Sequence, residues 1–436
     1  MLDGDDAPLI SFAKPQPLFN AVTAPADQLL TGWEVLAGPF GLIAFIPLIP
    51  LLRLAARAYP RAALALFSLV WLVATAGPLA TLVLVAGCLV ASGWIVTLGR
   101  LLRDGRIGRR LMITLVWLGP AALLFPLWWA PQTTWASWHD GSRMAALHNL
   151  GFAYFFLRVV AWGVNLTKTP HDSLRPVDTL CWLLYPPCMR LGPVLLRGEF
   201  FERLATWKPA SPTPWKEIGQ RFGLFLLGGV GLAVVSRNIP QVLPGTADFF
   251  AAPRDYSTGA LLRVFYLVPI QIYLLLWTYN ELAVALSLWI GIRVDNNFDW
   301  LPRATSVRDF WRRWHVTVGR WLRNYVYIPV GGSRGSVPLH YAAVFGFCGL
   351  WHGASWSFIA WGGSQALALT VQRWWDQLRK RLGWSGRPTG VWWALLCWIV
   401  TMHYQVATIV TFVDFEHLGW RLFRELWRRL ATGGAN

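Results

Sequence analysis

Hydrophobic residues in this chain come in long blocks separated by short basic segments. Residues 36–52 (LAGPFGLIAFIPLIPLL) are apolar and stop at Arg53, Arg57 and Arg61. Residues 62–99 are almost uncharged and long enough for a hairpin of two membrane spans, since about 20 apolar residues cross a bilayer. The next segment, RLLRDGRIGRR, is strongly basic, so both ends of the hairpin are expected on the cytoplasmic side. Residues 111–130 then cross outward. The loop WAPQTTWASWHDGS carries three tryptophans and few charges, as an outer-interface belt does, and residues 144–166 return inward to Lys168 and Arg175.

Residues 177–198 (VDTLCWLLYPPCMRLGPVLLRG) break this pattern. Pro186, Pro187, Gly192 and Pro193 rule out a regular helix, so a kinked or re-entrant element is expected. Irregular backbone at membrane depth survives where protein covers it or where it lines a cavity, and a tunnel wall is the functional version of that element. Residues 222–236 cross outward, 237–257 form a polar loop, and 258–292 form one long or two short spans ending at Arg293. Residues 340–361 and 363–375 form another hairpin before the basic RWWDQLRKRLGW, and 391–413 are the last clear span. The tail is amphipathic. Phe415, Leu418, Leu422, Leu426 and Leu430 recur at helical spacing with Arg421, Arg424, Arg428 and Arg429 between them, which predicts an interfacial helix. The expected organisation is a polar leader (1–35), one multi-span domain (36–413) and the basic amphipathic tail (414–436).

Composition agrees with this reading. Of 436 residues, 55% are hydrophobic and 14% charged, against about 25% charged in soluble domains. An all-α, polytopic integral membrane protein is the fold class. The net charge of +17 sits in the loops between spans, where it suits anionic lipid headgroups or an acidic partner; nucleic acid is not expected, because the aromatics lie in the spans. No basic segment followed by an apolar core opens the chain, so no cleavable signal peptide is expected. The five cysteines (Cys88, Cys181, Cys188, Cys348, Cys397) form no CxxC pair and no zinc-like cluster with histidine, so a metal is not expected.

Candidate chemistry concentrates in 308–363. The spacing predicts a helix over 306–325, with Ser306 and Asp309 as a capping box at its start. Phe310, Trp311, Trp314, Val318, Trp321, Leu322 and Tyr325 would share one face, and Arg312, Arg313, Arg320 and Arg323 the other. His315 falls at the edge of the apolar face; it is either a packing histidine or a functional one. His352 stands midway along an uncharged span, between Gly349 and Gly353, where a second helix or a ligand can approach closely. It either ties two helices together or acts as a general base, for which a buried neutral imidazole is suited. Glu281, after Asn280, is the notable intramembrane acid, in helix packing or in a tunnel. No nucleophile elbow, phosphate loop or H-E-x-x-H motif occurs.

The run RDFWRRWHVTVGRWLRNYVYIPVGG followed by GLWHGASWSFIAWG closely resembles the membrane-bound O-acyltransferases, and within them the bacterial polysaccharide branch. The stretches IQIYLLLWTYNELAVALSLWIGIRVDNNF and YPPCMRLGPVLLRGEF resemble it too, so that the likeness covers roughly residues 180–415. The chain departs from that branch at Asn324, where relatives usually carry Asp, and at Asn280-Glu281, where they carry Ser-Asp. The polar leader matches less well, and relatives tend to continue with more hydrophobic sequence beyond 415.

The resemblance implies about ten or more helices around a central tunnel and transfer of an acyl group to a hydroxyl. His352 would be the catalytic histidine and His315 a second required one. Asn324, Trp351, Trp356, Trp314, Glu281 and Asn280 would support the site or line the tunnel. Arg312, Arg313, Arg320 and Arg323 would dock the donor, a thioester on CoA or on an acyl carrier protein, with no bound cofactor. An exported polysaccharide or envelope glycan would accept the acyl group at the bacterial inner membrane, and a periplasmic acetyltransferase or polymer synthase is an expected partner besides membrane lipids. A transporter or export component, or a scaffold relaying the acyl group to a periplasmic transferase, is the alternative.

Overall fold

A computed structural model describes residues 41–129, 152–168, 175–189, 191–239, 252–352, 356–383, 390–413 and 419–432. The leader, the tryptophan-rich loop after Trp129 and positions 415 and 418 lie outside the described residues. Among those described, the regular elements are all helices: α1 (Ile49–Ala55), α2 (Pro60–Arg103), α3 (Arg109–Trp129), α4 (Phe152–Leu166), α5 (Pro176–Leu183), α6 (Pro186–Met189), α7 (Arg197–Thr206), α8 (Trp215–Asn238), α9 (Thr258–Ile290), α10 (Val307–Arg313), α11 (Val316–Leu322), α12 (Val337–His352), α13 (Trp356–Arg381), α14 (Val391–Val413) and α15 (Trp420–Ala431).

Among the described residues, four stretches are long and apolar enough to cross a membrane: Gly77–Arg103, Trp215–Asn238, Thr258–Ile290 and Val391–Val413. The expected hairpin over 62–99 is two helical arms meeting at Gly77 without a connecting loop. The 258–292 segment is a single helix, started by Ser257, whose Oγ accepts the Ala260 N–H. α8 lies along α9, α12 along α13, and α2 along α5.

The broken 177–198 segment is α5, a turn, and the four-residue α6, and it is covered by protein. Tyr185, Cys188 and Met189 are buried, and the Trp182 indole donates to the Leu195 carbonyl at 2.9 Å. The carbonyls freed at the end of α5 are taken by Arg158, which is fully buried and donates to Trp182 O (3.1 Å) and Leu183 O (2.9 Å). Gly192 closes the turn; a Cβ there would lie 2.0 Å from the Pro187 carbonyl oxygen, so no other residue fits.

α15 is amphipathic as expected. Leu422 is buried against Val410, Val413, Leu261 and Val264, while Trp420, Trp427 and Leu430 face outward. Arg429 and Arg428 close on the buried Glu425 at 2.7 Å, and Arg429 also reaches Thr258 and the Arg254 carbonyl.

Candidate functional site

The helix expected over 306–325 is broken in the middle. Ser306 Oγ accepts the Asp309 N–H at 3.1 Å and starts α10, but the Asp309 carboxylate accepts the Thr305 N–H at 3.4 Å rather than that of Ser306. α10 ends at Arg313, and Trp314 is extended. His315 takes a left-handed conformation (φ 44°, ψ 52°), uncommon for a residue with a Cβ. α11 then begins, and residues Arg323–Tyr327 widen into a π-helical turn. The break has an external cause: the first N–H groups of α11 bond to Asn297 in the preceding loop, not to α10.

His352 is the last described residue of α12 rather than the middle of a span: Gly349 faces Phe358 and Gly362 faces Phe345, so α12 and α13 run antiparallel as a hairpin. The two helices touch backbone to backbone. A Cβ on Gly349 would lie 2.4 Å from the Phe358 carbonyl oxygen, and one on Gly362 would lie 2.3 Å from that of Phe345. The expected close approach at Gly349 is therefore made by α13.

That crossing encloses His352 in aromatic rings. Its imidazole lies 4.8 Å from Trp351, 5.0 Å from Phe412, 5.5 Å from Trp361 and 5.9 Å from Phe358, centroid to centroid. His315 packs at 5.2 Å from Phe298 and 5.5 Å from Trp314, and Trp314 stacks on Phe310. The two clusters adjoin through Trp311, one turn before His315, whose ring lies 5.9 Å from that of Trp361 in the His352 cluster. Burial pushes the His315 imidazole down to about 4, so it is neutral at neutral pH.

Hydrogen bonding separates His315 from His340 and His403. His340 Nδ1 bonds the Gly332 carbonyl and His403 Nδ1 the Ile399 carbonyl, both at 2.8 Å, as packing histidines do. His315 Nδ1 is buried with no partner, and so is the Trp361 indole N–H in the neighbouring cage. Native proteins leave few buried polar atoms unsatisfied, and those left mark places where a ligand or water completes the structure. Among the described residues, no three His, Cys, Asp or Glu side chains gather to hold a metal.

The remaining candidates divide. Trp314 and Trp351 adjoin the histidines; the Trp351 indole donates to the Ala153 carbonyl at 3.2 Å. Trp356 is 63% exposed at the start of α13. Asn324 is exposed on the π turn and accepts from Arg323 at 3.4 Å, so it does not converge on the histidines. Glu281 is 1% exposed and is held by Arg221 at 2.8 Å, the Trp277 indole at 3.1 Å and Asn296 at 3.3 Å. Asn280 is fully buried; its Oδ1 accepts the Asn297 N–H and its Nδ2 donates to Asn296.

The arginine face is largely neutralised. Arg312 and Arg313 bond Asp309 at 3.1 Å, Arg313 also reaches Asp299, and Arg320 bonds Asp295 at 2.6 Å. Burial works to raise both Asp309 and Asp295, but their arginine partners hold them below the usual carboxylate range. Arg323 stays on the exposed side. The residues that sequence reasoning missed are Asn297, Thr317, Phe358, Trp361 and Phe412. Only the adjacent pair Asn296-Asn297, in the polar segment between Arg293 and Asp299, offered a signal.

A family model described as MBOAT, membrane-bound O-acyltransferase family, matches residues 111–414. The chain is 33% identical over 255 residues to a peptidoglycan O-acetyltransferase of Helicobacter pylori, covering 57% of this chain and 44% of that protein. It is 36% identical over 234 residues to a probable alginate O-acetylase of Azotobacter vinelandii, covering 51% and 44%. It is 26% identical over 136 residues to a teichoic acid D-alanyltransferase of Bacillus subtilis, covering 29% and 34%. The chain thus spans less than half the length of these curated relatives.

Proposed function

The chain belongs to the membrane-bound O-acyltransferase family, and from that premise we propose that it transfers an acyl group, acetyl above all, from a thioester to hydroxyls of an exported polysaccharide or envelope glycan. The reading is carried by one observation: His352 packed among aromatic rings, and a second ring-packed imidazole, His315, whose buried Nδ1 has no hydrogen-bond partner. A substrate hydroxyl or carbonyl can bond an imidazole so placed.

In the proposed step, His352 takes the proton of the acceptor hydroxyl as the oxygen attacks the thioester carbonyl. His315 orients the reacting carbonyl or stabilises its developing oxyanion. Collapse breaks the C–S bond, and the imidazolium returns the proton to the departing thiolate. The rings around His352 exclude water, which limits hydrolysis of the thioester. The donor would be acetyl-CoA or an acyl carrier protein approaching from the cytoplasmic side of a bacterial inner membrane. A polymer synthase or periplasmic acetyltransferase fits as partner. Glu281 is the only carboxylate of α9 and is tied up by Arg221, which weighs against a proton-relaying transporter.

The test is the O-acyl content of surface polysaccharides, read by NMR in a deletion strain, in one complemented with the intact chain, and in one complemented with His352→Ala. The O-acyl signals should vanish on deletion and return only with the intact chain. Full activity of the alanine variant would refute the assignment. Acyl groups that accumulate on a second protein and never reach the glycan would move the relay scaffold ahead.

A further inference from the structure

α11 begins without a cap from its own N-terminal residue, His315. A helix start leaves N–H groups that need partners, and the N-cap side chain usually supplies one. Here an earlier loop does so. The Val316 N–H donates to the Asn297 carbonyl at 2.9 Å, and the Thr317 N–H donates to Asn297 Oδ1 at 3.1 Å. The Thr317 hydroxyl donates to the same Oδ1 and accepts the Val194 N–H at 2.8 Å. Asn297 in turn donates through Nδ2 to the Gly192 carbonyl at 3.2 Å and through its N–H to Asn280 Oδ1 at 3.1 Å. Both residues are buried, at 0% and 2% exposure.

This arrangement works against local preference. The apolar period of Phe310, Trp311, Trp314, Val318 and Trp321 suits one continuous helix, which would turn His315 away from its present direction. A left-handed backbone at a residue with a Cβ costs about 1–3 kcal/mol and persists only where its surroundings over-determine it.

We propose that Asn297 and Thr317 are positioning residues of the acyl-transfer site. They anchor the start of α11 to the Gly192–Val194 turn and to α9. That anchoring holds the Trp314–His315 turn open and keeps the His315 imidazole free of capping duty, next to the helix whose Trp311 packs against the His352 ring cluster. The inference rests on the acyl-transfer reading above.

Thr317 gives the cleaner test, because one hydroxyl is removed. Thr317→Val, Thr317→Ala and Thr317→Ser are expressed in the deletion strain. The readouts are the rate at which O-acyl esters appear on envelope glycan after induction, the amount of chain in the membrane, and its melting temperature after purification. Loss of the hydroxyl should slow ester formation about tenfold or more, the scale of a modest misplacement of a reacting group. Protein level should be unchanged, and Thr317→Ser should restore the rate to within about twofold. A wild-type rate in Thr317→Val would overturn the proposal. So would a Thr317→Ser rate as low as that of Thr317→Val, which would assign the effect to the lost methyl group. Absence of both hydroxyl-less variants from the membrane would make the hydroxyl a folding element and overturn it as well. Failure of the intact chain to restore esters would instead remove the acyl-transfer reading, and this inference with it.

Discussion

Gly349 stands one helical turn before His352, where α12 meets the backbone of α13. A methyl group added there would sit 2.4 Å from the Phe358 carbonyl oxygen and 3.0 Å from its carbon, whereas ordinary contact begins at 3.4 Å. Relief requires the two helices to part by about 1 Å, since both atoms belong to the backbone and not to a flexible side chain. The same parting moves His352 relative to Phe358 and Trp361. Overpacking of this kind costs about 1–3 kcal/mol, and misplacing a reacting group by about 1 Å costs on the order of a hundredfold in rate. Gly346 is the internal control, on the same helix with nothing within 4 Å of its added Cβ. Gly346→Ala should therefore keep full activity and gain up to about 1 kcal/mol from helix propensity. The assay pairs melting temperature in detergent with the rate of glycan ester formation. If Gly349→Ala matched Gly346→Ala in both, the backbone contact would not be what places His352, and the reasoning would be wrong.

Two further outcomes follow from charge. Arg221→Met leaves the Glu281 carboxylate buried without its cation and should cost about 3 kcal/mol, most of it regained by adding Glu281→Gln; equal melting temperatures for all three chains would refute the pairing. Glu425 is depressed to about 2 from 4.5, by its hydrogen bond to Arg428 first, against burial, and then by Arg429. A depressed carboxylate stabilises above its unfolded pKa and loses that contribution as pH falls through its folded one, so the docking of α15 should weaken between about pH 4.5 and 2. Amide hydrogen exchange along Trp420–Ala431 should accelerate in that window, and a flat profile would count against it.

The spans were legible because apolar length is a local property. Residues 222–236, 258–292 and 391–413 fall on α8, α9 and α14 nearly end to end. The buried, broken 177–198 segment was legible for the same reason, through its prolines. The break at His315 was not, because periodicity over 306–325 is that of an unbroken helix and the competing partner, Asn297, lies in another segment. Nor was the reversal after His352, since apolar sequence runs straight through 340–361. The arginine face looked like a docking surface because, Asp309 apart, the acids that pair with it, Asp295, Asp299 and Glu199, lie outside the helix that carries it. Residue types and spacing identified both histidines, but the rings around His352 come from α13 and α14 and needed the fold.

The position of Phe412 in α14 has a consequence for synthesis of the protein. His352, Trp351, Phe358 and Trp361 all emerge from the ribosome before the last wall of their cage. A nascent chain that has inserted every helix through α13 thus holds His352 with the Phe412 side of its ring cluster open, and α14 supplies that side last. On the acyl-transfer proposal, transfer would be favoured over hydrolysis of the thioester only in chains that have inserted α14.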